Sequence, residues 1–226
     1  MSAHEKASPA RQRLLVDIVS DPVCPWCYVG LKAFQHARDK ISQDYQVLPR
    51  IRAYMLNPNT PPGGMDRLAH YDKKFPDTSQ REQMALSIKA AAAGAGFQFD
   101  PMGPKWLPNT AKAHQLIRLA HYDGAQERLA EELYSRYWND GDDIGDEAVL
   151  LTIAETAGLD VENAQRDFAN PKSKNEILAE AEAFRQAGVT GVPTYIVNER
   201  VGFSGALPPV RLAEALRDGA RQTLEN

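Results

Sequence analysis

Cys24-Pro25-Trp26-Cys27 contains the only two cysteines of this 226-residue chain, and it sits where a strand-like run hands over to helical periodicity. Leu14 to Val19, interrupted by Asp17, reads as a short and largely buried strand rich in β-branched residues, and Asp21-Pro22 marks the turn after it. Beyond the turn, Cys27, Leu31, Phe34 and Ile41 fall mostly three, four or seven positions apart, which is one face of a helix. The spacing predicts Cys27 on the core-facing side of the first turn and Cys24 at an exposed tip. Two thiols on the first turn of a helix that follows a buried strand constrain this chain more than any other feature.

The rest of the chain builds outward from that unit. Gln46 to Leu56 reads as a second strand, with Pro49 pointing to an edge position because proline cannot donate to a ladder. A Pro/Gly-rich connector follows at 57–64, and helical stripes then run for over a hundred residues. They are Ala113, Leu116, Ile117 and Ala120; Leu129, Leu133 and Tyr137; Leu150, Ile153, Ala154 and Ala157; and Ile177, Ala181 and Phe184. Strand character returns at Thr194 to Val197. A turn near Asn198-Glu199-Arg200 leads into Val201-Gly202-Phe203, a hairpin pattern. Pro208-Pro209 opens a last helix with Val210, Leu212, Ala213 and Leu216 as its apolar residues. The order β-α-β, helices, β-β-α predicts an α/β domain of 12–60 plus 186–226, split by an all-helical insertion at 61–185.

Composition removes several classes of function. With 43% hydrophobic residues the chain can bury a substantial core without staples. Its 26 basic and 30 acidic side chains form no basic stripe, so a nucleic-acid partner is not expected. No apolar run approaches the roughly 18 residues of a membrane span. Met1 to Arg13 is polar and carries Lys6, Arg11 and Arg13, without the apolar core of a secretion leader, so a cytoplasmic location is expected. In a reducing compartment a lone cysteine pair points to catalysis or metal binding rather than a staple.

Metal binding is the weaker of those two. A zinc site needs four ligands, and His4, His36, His70, His114 and His121 supply no tightly spaced pair. The acidic run 139–147 has Ile144 where a calcium loop needs its turn glycine, and Asp146 reads instead as a helix N-cap. No metal site is expected. Thiol–disulfide exchange needs an attacking thiolate and a second thiol that resolves the mixed disulfide. The unpaired N–H groups and dipole of a helix start favour an anion at Cys24. Pro25 suits the first helical position, where its missing N–H has no duty. Trp26 adds an apolar surface beside the reactive sulfur and, unlike histidine, cannot become cationic. The pair is therefore expected to be less oxidising than the strongest disulfide donors, which lie near about −120 mV.

A second signal stands far downstream. In Gly188-Val189-Thr190-Gly191-Val192-Pro193-Thr194 a proline opens a strand from a Gly-flanked turn, a pattern that fits a cis peptide. With the Ser20–Gly30 stretch around the cysteines, Pro108-Asn109-Thr110, Ala113-His114, Asp143–Asp146 and Phe203–Ala206, the chain resembles DsbA-like members of the thioredoxin superfamily and looks like their FrnE-type branch. The resemblance covers about Leu14 to Leu216. It implies a thioredoxin fold, a central mixed sheet flanked by helices, with a large helical insertion. It implies Cys24 as nucleophile, Cys27 as resolving thiol, Pro193 as a cis-proline facing them, and Val192 as the backbone that pairs with an extended substrate. Asn109 is a candidate for substrate orientation, with helix capping as its alternative.

Three classes of function remain. The leading one is protein-disulfide oxidoreductase or isomerase chemistry on protein or small-molecule thiols, with no cofactor beyond the redox pair. The second is glutathione-dependent chemistry as in 2-hydroxychromene-2-carboxylate isomerases and kappa-class glutathione transferases, which typically have serine at the position of Cys24; glutathione is a candidate co-substrate in either case. The third is a non-catalytic, chaperone-like binding protein. The sequence leaves the oligomeric state and the direction of electron flow open.

Overall fold

The strand leading to the cysteines, β1 (Gln12–Ser20), lies inside a four-stranded sheet of order β2-β1-β5-β6. β2 (Tyr45–Ala53) pairs parallel to it, while β5 (Thr194–Val197) and β6 (Val201–Ser204) complete the sheet antiparallel. The computed structural model describes residues 11–224, so His4 and Lys6 of the polar N-terminal stretch lie outside it. Leu14, Val16 and Ile18 are buried, as the β-branched run predicts. Asp17 in their midst is buried too. It stands directly opposite Arg50 in the β1–β2 register, and that guanidinium donates to both carboxylate oxygens at 2.7 Å. A bidentate partner is what makes a charge tolerable there.

Pro49 does lie on an edge strand, and the exposed side of β2 is closed by side chains of the inserted helices. The amide of Gln126 accepts from Ile51 N at 2.8 Å and donates to Ile51 O at 3.1 Å. Glu180 accepts from Ala53 N at 3.2 Å. An unpaired edge invites association with other chains, and these contacts cover it.

Between β2 and β5 come α2 (Arg67–Lys74), α3 (Thr78–Gly94), α4 (Ala111–Tyr122), α5 (Gln126–Ser135), α6 (Glu147–Thr156), α7 (Val161–Phe168) and α8 (Pro171–Gln186). One π-helical turn, Arg136–Asp140, continues α5. The stretch expected to be all helical also has a two-residue antiparallel ladder, β3 (Met65–Asp66) against β4 (Trp106–Leu107), too short to show a period in sequence. α4, α5 and α8 lie against β2, and α1 (Pro25–Ile41) packs on α9 (Pro209–Leu224). One continuous apolar cluster runs from Leu14 and Phe34 through Leu116, Leu133 and Ile153 to Leu216.

The predicted stripes are buried apart from Phe184, which is half-buried with Arg52 over its ring. Asp146 caps α6 as expected, accepting from Ala148 N and Val149 N. Val210 departs from expectation at 55% exposed. It precedes Leu212 by two positions, about 200° around the helix, so it cannot share that residue's buried face.

Candidate active site

Cys24 is the N-cap of α1, with extended backbone at φ −92° and ψ 116°, and Pro25 occupies the first turn. Cys24 N donates to Asp21 O at 2.9 Å, and Cys24 O accepts from Cys27 N at 3.1 Å. Its side chain makes no capping bond, so the sulfur stands at a helix start whose first N–H groups have no intrahelical partner. The two cysteines are unbridged. The Cys24 thiol donates to the carbonyl oxygen of Val192 at 3.6 Å, and the Val192–Pro193 peptide bond is cis. The loop that brings Val192 there is tied down by Thr194 Oγ1 to Gly191 O at 2.7 Å and Gly205 N to Pro193 O at 2.9 Å.

Cys27 is buried at 1% exposure, as its place on the core stripe predicts. Cys24 corrects the expectation of an exposed tip, for it is only 4% exposed. The reason lies in the inserted helices. α2 and α3 fold across the helix start and, with the Val192 loop, turn it into a wall of a pocket of about 240 Å³. Cys24, Pro25 and Trp26 line this pocket with Tyr71, Met84 and Val192. The first sulfur thus meets solvent through a cavity, while the second sits behind it in the core.

Burial sets the chemistry of the rear sulfur. Desolvation, and then a hydrogen bond with Cys24, push the Cys27 thiol well above the usual thiol range. Burial likewise raises the hydroxyls of Tyr134 and Tyr71, both close enough to feel the cysteines. Cys27 therefore holds its proton until a partner sulfur draws it into reaction.

Of the residues singled out in sequence, the fold gathers Cys24, Cys27, Pro25, Trp26, Val192 and Pro193 at one place. Asn109 is not among the residues that line the pocket. Its amide donates to Thr60 O at 2.7 Å and accepts from Ala111 N at 3.0 Å, which ties it to the start of α4. Sequence reasoning missed two groups. Trp138, on the π-helical turn, donates to Pro22 O at 3.2 Å and Tyr134 donates to Asp21 O at 3.5 Å, holding the loop ahead of Cys24. Arg67 and Tyr71 of α2 face the pocket, and no periodicity places that helix over the cysteines.

A mixed sheet of this order, a helix-start cysteine pair and a cis-proline loop beside it define a thioredoxin-fold oxidoreductase. Residues 15–217 match the DSBA-like thioredoxin domain, and the chain belongs to that family. It is 33% identical to human glutathione S-transferase kappa 1 over 193 residues, 81% of this chain and 80% of that protein. A solved structure described as a probable DsbA oxidoreductase, SCO1869 from Streptomyces coelicolor, superposes with a TM-score of 0.81 at 28% identity, covering 91% of this chain and 89% of that one. The cytosolic disulfide reductase DsbM from Pseudomonas aeruginosa, solved with GSH, shares the fold at a TM-score of 0.62 and 16% identity, covering 94% of this chain and 100% of that one.

Proposed function

We propose that the protein exchanges disulfides with protein or small-molecule thiols through the Cys24–Cys27 pair. The observation that carries the proposal is the division of labour between the sulfurs: Cys24 lines a pocket at a helix N-terminus, and Cys27 lies buried behind it and hydrogen-bonded to it. In the reducing direction the Cys24 thiolate attacks a substrate disulfide. A Cys24–substrate S–S bond forms, the substrate S–S bond breaks, and one thiolate leaves. Cys27 then gives up its proton to solvent and attacks Cys24, closing the intramolecular disulfide and expelling the second thiolate. Two electrons pass to the substrate, and a cellular dithiol or glutathione returns them; oxidation of substrates runs the same steps backward. The Val192 backbone is the proposed rest for an extended substrate segment, with Pro193 and Trp26 flanking the sulfur. The proposed setting is the cytoplasm, where a thiol pool keeps a lone pair cycling.

Glutathione as co-substrate is supported by the 33% identity to a glutathione transferase of the kappa class. Because a cysteine stands at position 24, glutathione is proposed to form a mixed disulfide with it rather than remain an unreacted ligand. The test is insulin reduction and ribonuclease reoxidation by the wild type, Cys24→Ser and Cys27→Ser. Activity is expected to vanish with Cys24→Ser, and Cys27→Ser is expected to accumulate mixed disulfides through Cys24. Redox activity retained in full by Cys24→Ser would overturn the proposal; no redox activity in the wild type, with chaperone activity equal in wild type and Cys24→Ser, would leave the non-catalytic binding role standing in its place.

A further inference from the structure

The pocket beside Cys24 is lined by three cationic side chains, Arg67, Lys74 and Arg81, and by no aspartate or glutamate. This is unexpected in a chain whose formal net charge is −4. Arg67 is the most telling of the three. It is only 6% exposed, and among the described residues it has no carboxylate within ion-pair distance. Its guanidinium donates to the carbonyls of Pro101 at 2.8 Å and Pro104 at 3.1 Å, and lies 4.6 Å from the ring centre of Tyr71 and 5.3 Å from that of Trp138. Those contacts hold the group in place without a direct carboxylate partner, Asp100 meeting its charge only at longer range, and its buried Nε has no hydrogen-bond partner among the described residues. Arg81 pairs with the exposed Asp72, and the Lys74 ammonium lies 5.8 Å from the centre of the Phe75 ring with no carboxylate in ion-pair distance among the described residues. Burying a guanidinium without a carboxylate in contact is costly, and an anion drawn from solution would offset that cost.

The remaining wall is apolar: Leu56, Phe75, Met84, Ala85, Ile88 and Trp26. A ligand suited to both parts has an apolar body and an anionic group, and it must present sulfur to Cys24. At about 240 Å³ the cavity is at or below the small end of ligand pockets, so it admits a small molecule and not a folded domain. We propose that the preferred small-molecule substrates are disulfides, and the matching thiols, that carry a carboxylate on an apolar body. This rests on the exchange chemistry proposed above and adds its selectivity; the bond-making and bond-breaking steps are the same.

The test compares reduction of dithiodibenzoate, its uncharged amide dithiodibenzamide, and the cationic cystamine. Each rate is divided by that of a free model dithiol, so that intrinsic reactivity cancels. The expected result is a preference of roughly tenfold or more for dithiodibenzoate over the amide at low salt, shrinking as salt is raised. Lys74→Gln and Arg67→Gln should each reduce that ratio. Lys74 is exposed, so its variant keeps the test decisive if Arg67→Gln does not fold. Equal normalised rates for the three compounds, with exchange still dependent on Cys24, would overturn the selectivity and leave the exchange reading intact. If none of the three is reduced while insulin reduction still depends on Cys24, the selectivity is overturned and the exchange reading stands; if insulin is not reduced either, the exchange reading itself fails.

Discussion

Gly30, on the second turn of the cysteine-bearing helix, is packed so closely on Pro193 that a Cβ at position 30 would stand 2.7 Å from the proline Cγ. The same Cβ would lie 2.8 Å from the hydroxyl of Tyr195, which donates to Gly30 O at 3.1 Å. The helix and the loop that faces Cys24 are therefore spaced by the absence of one methyl group. In an open helix interior, Gly→Ala stabilises by about 1 kcal/mol. Here the clash is with a proline ring and a hydrogen-bonded hydroxyl, neither a flexible side-chain end, and overpacking of this kind costs about 1–3 kcal/mol. Gly30→Ala is expected to lower stability by about 1 kcal/mol net and to slow disulfide exchange by displacing Val192 from Cys24. Gly94→Ala is the control, because nothing lies within 4 Å of its added Cβ. Urea titrations and insulin-reduction rates check both; a Gly30→Ala protein with unchanged stability and rate would refute the spacing argument.

Placement of the sulfurs predicts their reactivity. Cys24 opens on a pocket and Cys27 is buried with its proton held, so iodoacetamide should label Cys24 more than about tenfold faster near neutral pH. Peptide mapping after brief exposure reads the two rates separately. Comparable labelling would mean that α1 opens in solution and that the rear sulfur is not protected by the core.

Much of this arrangement was legible in the chain itself, wherever a local pattern determines it. The stripe of Cys27, Leu31, Phe34 and Ile41 is buried because a helix repeats every 3.6 residues. Pro49 lies on an edge because a proline inside a sheet would leave a ladder acceptor unmet. The enclosure of Cys24 was not legible. It depends on α2 and α3, some fifty residues on, and neither helix has a period that says which element it will cover. Asn109 shows the same limit from the other side. An amide ahead of a helix can cap or face a substrate, and no local pattern shows its tertiary contact with Thr60.

Gln126 is a further residue whose role no sequence pattern discloses. Its amide makes three bonds, to Ile51 N, Ile51 O and Ile117 O, and so joins the edge of the sheet to the inserted helices. Gln126→Leu keeps similar bulk and leaves buried backbone groups without partners, at an expected cost of about 2–3 kcal/mol. Asp21 and the cysteines lie elsewhere, so the labelling ratio of Cys24 to Cys27 should survive in the folded fraction. A urea midpoint equal to wild type would show that water replaces the amide at this edge.

Alkaline pH should destabilise the protein, and the sign follows from the direction of the shifts. Burial raises Cys27 and Tyr134 well above their usual ranges, and Tyr137 and Tyr195 are raised for the same reason. In the unfolded chain a thiol ionises near about pH 8.5 and a phenol near about pH 10. Above those values the unfolded state has lost protons that the folded state still holds, so stability falls as pH rises. Below about pH 7 these groups are protonated in both states and contribute no slope. Each such group steepens the loss by up to about 1.4 kcal/mol per pH unit once its unfolded form ionises. Cys27→Ala removes one of them, and its unfolding free energy should decline less steeply than wild type between about pH 9 and 10.5. Urea titrations of the reduced proteins across that interval measure both slopes. Parallel declines would show that the Cys27 thiol ionises as readily inside the fold as outside it, and the picture of a rear sulfur that keeps its proton would have to be abandoned.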